Sequence, residues 1–111
     1  MRLLITAGPT REYFDPVRYL SNPSTGMMGY EIARAAKSLG HLVSLITGPS
    51  NLLPPKGISV KRVTSSQEMY RAVNRYFPQC DAVIMTAAVS DYQPARYYPD
   101  KIKKQDRPIT L

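Results

Sequence analysis

The order in which short apolar runs and one helical pattern follow each other constrains this chain more than any other feature. Arg2-Leu-Leu-Ile-Thr-Ala7 is a brief apolar run closed by Gly8-Pro9-Thr10, which suits a strand buried in a parallel sheet. Over residues 25–39 the apolar positions Met28, Ile32, Ala35, Ala36 and Leu39 recur at helical spacing, with Glu31, Arg34 and Lys37 facing outward and Gly40 as the stop. Leu42-Val-Ser-Leu-Ile-Thr47 then makes a second strand, ended by Gly48-Pro49. Strand, crossover helix, strand is the right-handed unit of parallel sheets.

The rest of the chain extends that unit. Residues 58–63 alternate apolar and polar side chains, as expected of a third strand at a sheet edge. Thr64-Ser65-Ser66 is a capping signal ahead of a helix over about 67–77, whose Met69, Ala72, Val73, Tyr76 and Phe77 form one apolar, core-facing side. Residues 81–87 form the most continuously apolar segment, which predicts a central fourth strand ending in Ala88-Val89-Ser90-Asp91-Tyr92. Beyond Tyr92 the regular pattern fails, and Pro108-Ile-Thr-Leu111 reads as the start of another strand. The predicted fold is a Rossmann-like, three-layer α/β/α domain spanning 1–111. Its sheet is mostly parallel, in the order 3-2-1-4, and incomplete at the C-terminus. Such sheets bind ligands at the strands' C-terminal ends, so Gly8-Pro9-Thr10, the Asn22 loop and residues 87–91 should converge on one crevice.

Composition narrows the function. With 111 residues the chain is one domain, small for a complete two-substrate enzyme. No apolar run approaches membrane-spanning length and no signal-peptide pattern opens the chain, so a soluble, cytoplasmic protein with no membrane partner is expected. A single cysteine, Cys80, precludes an internal disulfide and is expected to be a small core or near-surface residue; the one histidine, His41, sits in a Gly-His turn. Fifteen Lys and Arg against eight Asp and Glu give a net charge of +7, which calls for an anionic partner or for a missing acidic portion of the chain. Nucleic acid is not favoured, because no helix-turn-helix, zinc-finger or aromatic RNA-binding pattern is present.

Residues 15–33 crowd polar groups into a turn that opens into the first helix. Ser24 or Thr25 can accept a bond from a first-turn N–H, and Gly26 and Gly29 allow close approach of backbone or ligand. A helix start of this kind attracts anions, and Arg18 adds a cation that can grip phosphate or carboxylate. Ordinary helix capping explains Ser/Thr-Gly equally well, so these residues alone leave a ligand site and a plain cap both open. A dinucleotide cofactor is disfavoured: the turn reads Gly8-Pro-Thr-Arg rather than Gly-x-Gly-x-x-Gly, and no acidic residue closes the second strand. A Walker-type phosphate loop is absent as well.

Four motifs, in this order and spacing, resemble those of the phosphopantothenate-cysteine ligase (phosphopantothenoylcysteine synthetase) family. They are Ile5-Thr-Ala-Gly-Pro-Thr-Arg11, Asp15-Pro-Val-Arg-Tyr-Leu-Ser-Asn22, Ala87-Ala-Val-Ser-Asp-Tyr92 and Lys101-Ile-Lys-Lys104. The resemblance runs from Leu3 to Leu111 and corresponds to the N-terminal part of the family's synthetase domain, which is often the C-terminal half of a bifunctional flavoprotein of coenzyme A biosynthesis. It implies a ligase that joins 4′-phosphopantothenate to cysteine through an acyl-cytidylate made from CTP, with magnesium or another divalent ion on the phosphates. Asn22 would hold the pantothenate portion and the intermediate, and Arg18 would serve intermediate turnover. Asp91 would bind the nucleotide, beside Gly8, Ser24, Gly26, Ala87, Ala88 and Val89. Lys101 would open a mobile flap within 93–111 and place its ammonium on phosphate or the activated acyl group. No metal ligand among the protein's side chains is implied.

Two departures bear on that reading. The family usually carries Lys where this chain has Met27, so a basic side chain near the phosphates is lacking. The segment that would complete the base pocket and the family's dimer interface is expected to follow Leu111. The rival expectation is a non-catalytic anion- or partner-binding module of the same fold.

Overall fold

β1 (Arg2–Ala7) runs through the middle of the molecule. The computed structural model describes residues 1–90 together with Tyr97 and Pro99. β1 pairs in parallel with β4 (Leu42–Thr47) on one side and β6 (Ala82–Met85) on the other, and β5 (Ser59–Arg62) pairs in parallel with the outer side of β4. The resulting order, β5-β4-β1-β6, is the predicted 3-2-1-4 arrangement. A separate antiparallel ribbon, β2 (Arg11–Tyr13) with β3 (Tyr19–Ser21), was not anticipated from the sequence. Its connection is closed by Asp15, which is fully buried and whose Oδ1 accepts the N–H groups of Val17 at 2.8 Å and Arg18 at 2.6 Å.

Alternating residues of β1 feed two cores on opposite faces of the sheet. Leu3, Ile5 and Ala7 pack with Val43 and Leu45 beneath α1 (Met27–Ser38), against Tyr30, Ala33 and Ala36. Leu4 joins Ile46 and Val63 beneath α2 (Ser66–Tyr76), against Met69 and Ala72. Burying each large aliphatic side chain contributes about 1.5–3 kcal/mol, so the helix–sheet–helix layering follows from the side-chain alternation of one strand.

Three expectations are corrected in detail. The buried side of α1 is Gly29, Tyr30, Ala33 and Ala36, whereas Met28 and Leu39 are 70% and 78% exposed and Ala35 is exposed too. Close approach decides the phase: a Cβ on Gly29 would overlap the Ala7 Cβ, so the smallest residues rather than the longest meet the sheet. Phe77 is 57% exposed and lies outside α2, because the helix tightens to a 3-10 turn (Phe77–Gln79) at Pro78. Finally, β6 is the last strand of the sheet among the described residues, not a central one. Its Ala82 and Ile84 face the α1 core and Val83 the α2 core, so its apolar run reports two covered faces and not a second neighbouring strand.

The helix ends match local chemistry. α1 terminates in a Schellman arrangement, with His41 N–H donating to Ala36 O and Gly40 N–H to Lys37 O, and Gly40 at φ 90°. Ser65 caps α2 by accepting the Glu68 N–H at 3.1 Å. The Glu12 carboxylate, 6% exposed, takes the Ser66 N–H at 2.7 Å and so ties the β2–β3 ribbon to the start of α2. Cys80 is half-buried and packs against the α2 core. No helix among the described residues is long and apolar enough to cross a membrane.

Candidate functional site

The C-terminal ends of β1, β4 and β6 meet the start of α1 at one rim of the sheet, and glycines permit the approach. A Cβ on Gly26 would lie 3.2 Å from the Gly8 Cα, and one on Gly48 would overlap the Pro9 carbonyl. Gly8 and Gly26 both take positive φ, 79° and 85°, a conformation that side chains oppose. Gly26 is the N-cap of α1 and offers no side-chain oxygen; Thr25 Oγ1 accepts the Met27 N–H and Ser24 Oγ accepts the Gly26 N–H, each at 3.3 Å. Of the two capping candidates, Thr25 reaches the first turn of α1, while Ser24 braces the turn before it. That first turn carries no acidic residue, so its positive end is not offset locally.

The three predicted stretches converge over their described residues, the last of them as far as Ser90. Pro9 and Ala88 form a parallel bridge; Thr10 N–H donates to Ala88 O at 3.2 Å, and Ala88 N–H donates to Gly8 O at 2.9 Å. Thr10, wholly buried, accepts the Ser90 N–H on its hydroxyl at 2.9 Å. Asn22 reaches across from the ribbon, and its Nδ2 donates to Ala88 O at 3.3 Å and Val89 O at 3.1 Å. Ser21 Oγ fixes the same loop by donating to Thr10 O at 2.7 Å. Gly8, Ser24, Gly26, Asn22, Ala87, Ala88 and Val89 therefore occupy one neighbourhood, whereas Asp91 and Lys101 lie outside the described residues, as do the expected further strand and the flap apart from Tyr97 and Pro99.

A cleft of about 410 Å³ opens beside Asn22, bounded by the ribbon, the 23–25 turn and residues 49–52. Its far wall is latched by Ser50, whose Oγ donates to Thr25 O at 2.7 Å and accepts the Leu52 N–H at 3.2 Å. The cation lining this cleft is Arg11, on the ribbon side, and Arg18 is not among the lining residues. Arg18 Nε faces the buried Asp15 carboxylate at 3.9 Å, a position that serves the ribbon turn. In sequence Arg11 closes the first motif and is one of fifteen basic residues, with nothing to tie it to this cleft; its neighbour Tyr19, eight positions on, becomes adjacent only when the ribbon forms.

A metal fit can be judged from the donor set. Among the described residues, no group of three or more His, Cys, Asp and Glu side chains could hold an ion. The described rim offers hydroxyls, amides, carbonyls and the Arg11 guanidinium instead.

Comparison with known proteins locates the chain. The family profile described as DNA/pantothenate metabolism flavoprotein C-terminal domain matches residues 1–111. The coenzyme A biosynthesis bifunctional protein CoaBC of Vibrio parahaemolyticus is 51% identical over 102 residues, covering 92% of this chain and 26% of that protein. CoaBC of Bacillus subtilis is 49% identical over 110 residues, covering 98% and 27%. The chain thus spans about a quarter of the length of these relatives. Among solved structures, the C-terminal domain of a CoaBC superposes with a TM-score of 0.80 at 51% identity, over 85% of this chain and 48% of that one. A Cab2 variant in complex with phosphopantothenate-cysteine shares the fold, with a TM-score of 0.74 at 17% identity over 92% of this chain and 50% of that one.

Proposed function

Because the chain belongs to the DNA/pantothenate metabolism flavoprotein C-terminal domain family, we propose that it forms the crevice-bearing part of a phosphopantothenate-cysteine ligase domain and works with 4′-phosphopantothenate, CTP and cysteine. In the first step a carboxylate oxygen of 4′-phosphopantothenate bonds to the α-phosphorus of CTP, and pyrophosphate leaves with the electrons of the broken P–O bond. In the second, the cysteine nitrogen bonds to the acyl carbon, the bond to the phosphate oxygen breaks, CMP leaves and the amine releases a proton. Both steps gather negative charge, so the site's task is to supply oriented donors and cations and to hold the reacting ends together.

The observation that carries this reading is the pair of bonds from Asn22 Nδ2 to Ala88 O and Val89 O. Two of the four recognised motifs are joined by them at the strand ends, where ligands of such sheets bind. The start of α1, free of local acidic charge, favours the phosphates. Asp91 follows Val89 by two positions and is proposed as the nucleotide's partner, with Lys101 on phosphate or acyl group; Arg18 is proposed to brace the loop that carries Asn22. A divalent ion enters as part of the nucleotide substrate, carried on its phosphates. The test is pyrophosphate release by the intact protein. It is expected with CTP only when 4′-phosphopantothenate is present; binding of either substrate without any turnover would instead support the non-catalytic module.

A further inference from the structure

We infer that Arg11 is the phosphate-gripping residue of the cleft beside Asn22, held ready by the ring of Tyr19. The identity of the phosphate rests on the ligase reading above; the gripping role rests on the geometry. The guanidinium carbon of Arg11 lies 4.6 Å from the centroid of the Tyr19 ring, which in turn sits 5.0 Å from Tyr13 at an interplanar angle of 51°. Its backbone is fixed too, since Arg11 pairs with Ser21 across the ribbon and its N–H donates to Thr64 O at 2.7 Å. A guanidinium resting over an aromatic ring can still offer N–H groups for the two-point contact that suits phosphate oxygens, and a pre-ordered side chain loses less freedom when it binds.

Within the cleft lining, charge distinguishes Arg11 from its neighbours. Arg18 and Arg34 are paired with Asp15 and Glu31, whereas among the described residues no acidic side chain lies within ion-pair distance of Arg11. Arg11 is half-buried, and every other described residue lining the cleft is uncharged. A partly desolvated cation without an anionic partner is costly until a ligand supplies one. The wall facing it is latched by Ser50, so the cleft exists before any ligand arrives. A purely structural Arg11, clasping the ribbon, would affect stability and leave phosphate affinity unchanged.

The 4′-phosphate of phosphopantothenate and the triphosphate of CTP present the same chemistry, and kinetics on the intact protein separates them. Arg11→Met is expected to raise KM about tenfold or more for one of the two substrates, with kcat little changed, since a charge-assisted two-point contact to phosphate is lost. The substrate whose KM moves names the phosphate. Arg11→Lys, which keeps the charge and the fold but not the stacked fork, is expected to fall between the two. Unchanged KM for both substrates in Arg11→Met, or in Arg11→Lys should the first variant misfold, overturns the inference while leaving the ligase reading intact. If the wild-type protein turns over neither substrate, the ligase reading fails and Arg11 is judged by calorimetry with tripolyphosphate. Binding about tenfold weaker in Arg11→Met supports its role; equal affinity, or no binding by the wild type, overturns it.

Discussion

Replacing Gly48 by alanine tests whether the crevice depends on two strand ends lying closer than side chains allow. A Cβ at this position overlaps the Pro9 carbonyl oxygen and stands 2.7 Å from its carbon. Gly48 is not among the glycines with positive φ, so the backbone itself accepts alanine and the effect is steric. The obstacle is main chain, which no rotamer can turn aside. Relief must disturb either the bond from Gly48 N–H to Ala7 O at 2.9 Å or the bridge from Pro9 to Ala88. Overpacking costs about 1–3 kcal/mol, and a weakened backbone bond adds about 1 kcal/mol, giving about 3 kcal/mol in total. With a urea m-value of about 1.5 kcal/mol per M, the unfolding midpoint should fall by about 2 M. Gly40→Ala is the control: nothing lies within 4 Å of its Cβ, but φ is +90°. It should cost about 1–2 kcal/mol from conformation alone and leave ligand binding intact. Urea unfolding followed by circular dichroism, together with the thermal shift on adding CTP, reads both variants. A Gly48→Ala midpoint within about 0.5 M of wild type, with the CTP shift retained, would refute the reasoning.

The other consequences are smaller or confined to chemistry. Glu12→Ala should lose about 1–2 kcal/mol, because the first N–H of α2 loses a buried carboxylate partner, and Glu12→Gln should lose less; urea midpoints that rank the two the other way would contradict the capping role. Tyr30→Phe removes the buried 3.0 Å bond to Thr47 Oγ1 and should cost about 1 kcal/mol without changing KM for CTP. Asn22→Asp turns the amide that serves Ala88 and Val89 into an acceptor facing two acceptors, and is expected to abolish turnover or trap the acyl-cytidylate, which mass spectrometry of quenched reactions would detect. Full activity of that variant would remove Asn22 from the mechanism.

Much of the framework was legible because it depends on pattern. Runs such as 2–7 and 42–47 are apolar on both faces and bounded by turn residues, which leaves a parallel strand as the economical solution, and the crossover rule then sets the order. The phase of α1 was not legible, because it follows from Gly29 nesting against Ala7 and Thr86, a contact between residues far apart in sequence. The ribbon was hidden for a related reason: β2 and β3 are three residues each, too short for a period to show, and their turn is held by buried Asp15 rather than by a glycine. Without the ribbon, Arg11 and Tyr19 had no reason to be read together. Asn22 and residues 87–89 were recognisable by motif and by the strand-end rule, whereas the placement of Arg18 beside Asp15 required the fold.

The bonding of Asn22 restricts what it can offer a ligand. Both of its partners are carbonyl oxygens, so the nitrogen of the amide must face them; the flipped amide would set three acceptors together. Its two N–H groups are then committed to Ala88 and Val89, and Oδ1 is the atom left to meet a substrate. An acceptor cannot hold phosphate oxygens, but it can take an amide N–H, a hydroxyl or an ammonium, groups carried by the pantothenate portion and by cysteine. On the proposed reading, phosphate recognition is left to Arg11, the start of α1 and Lys101. The crevice would thereby sort its ligands by chemistry, with hydrogen-bond donors of the substrates at Asn22 and their anionic ends toward Arg11.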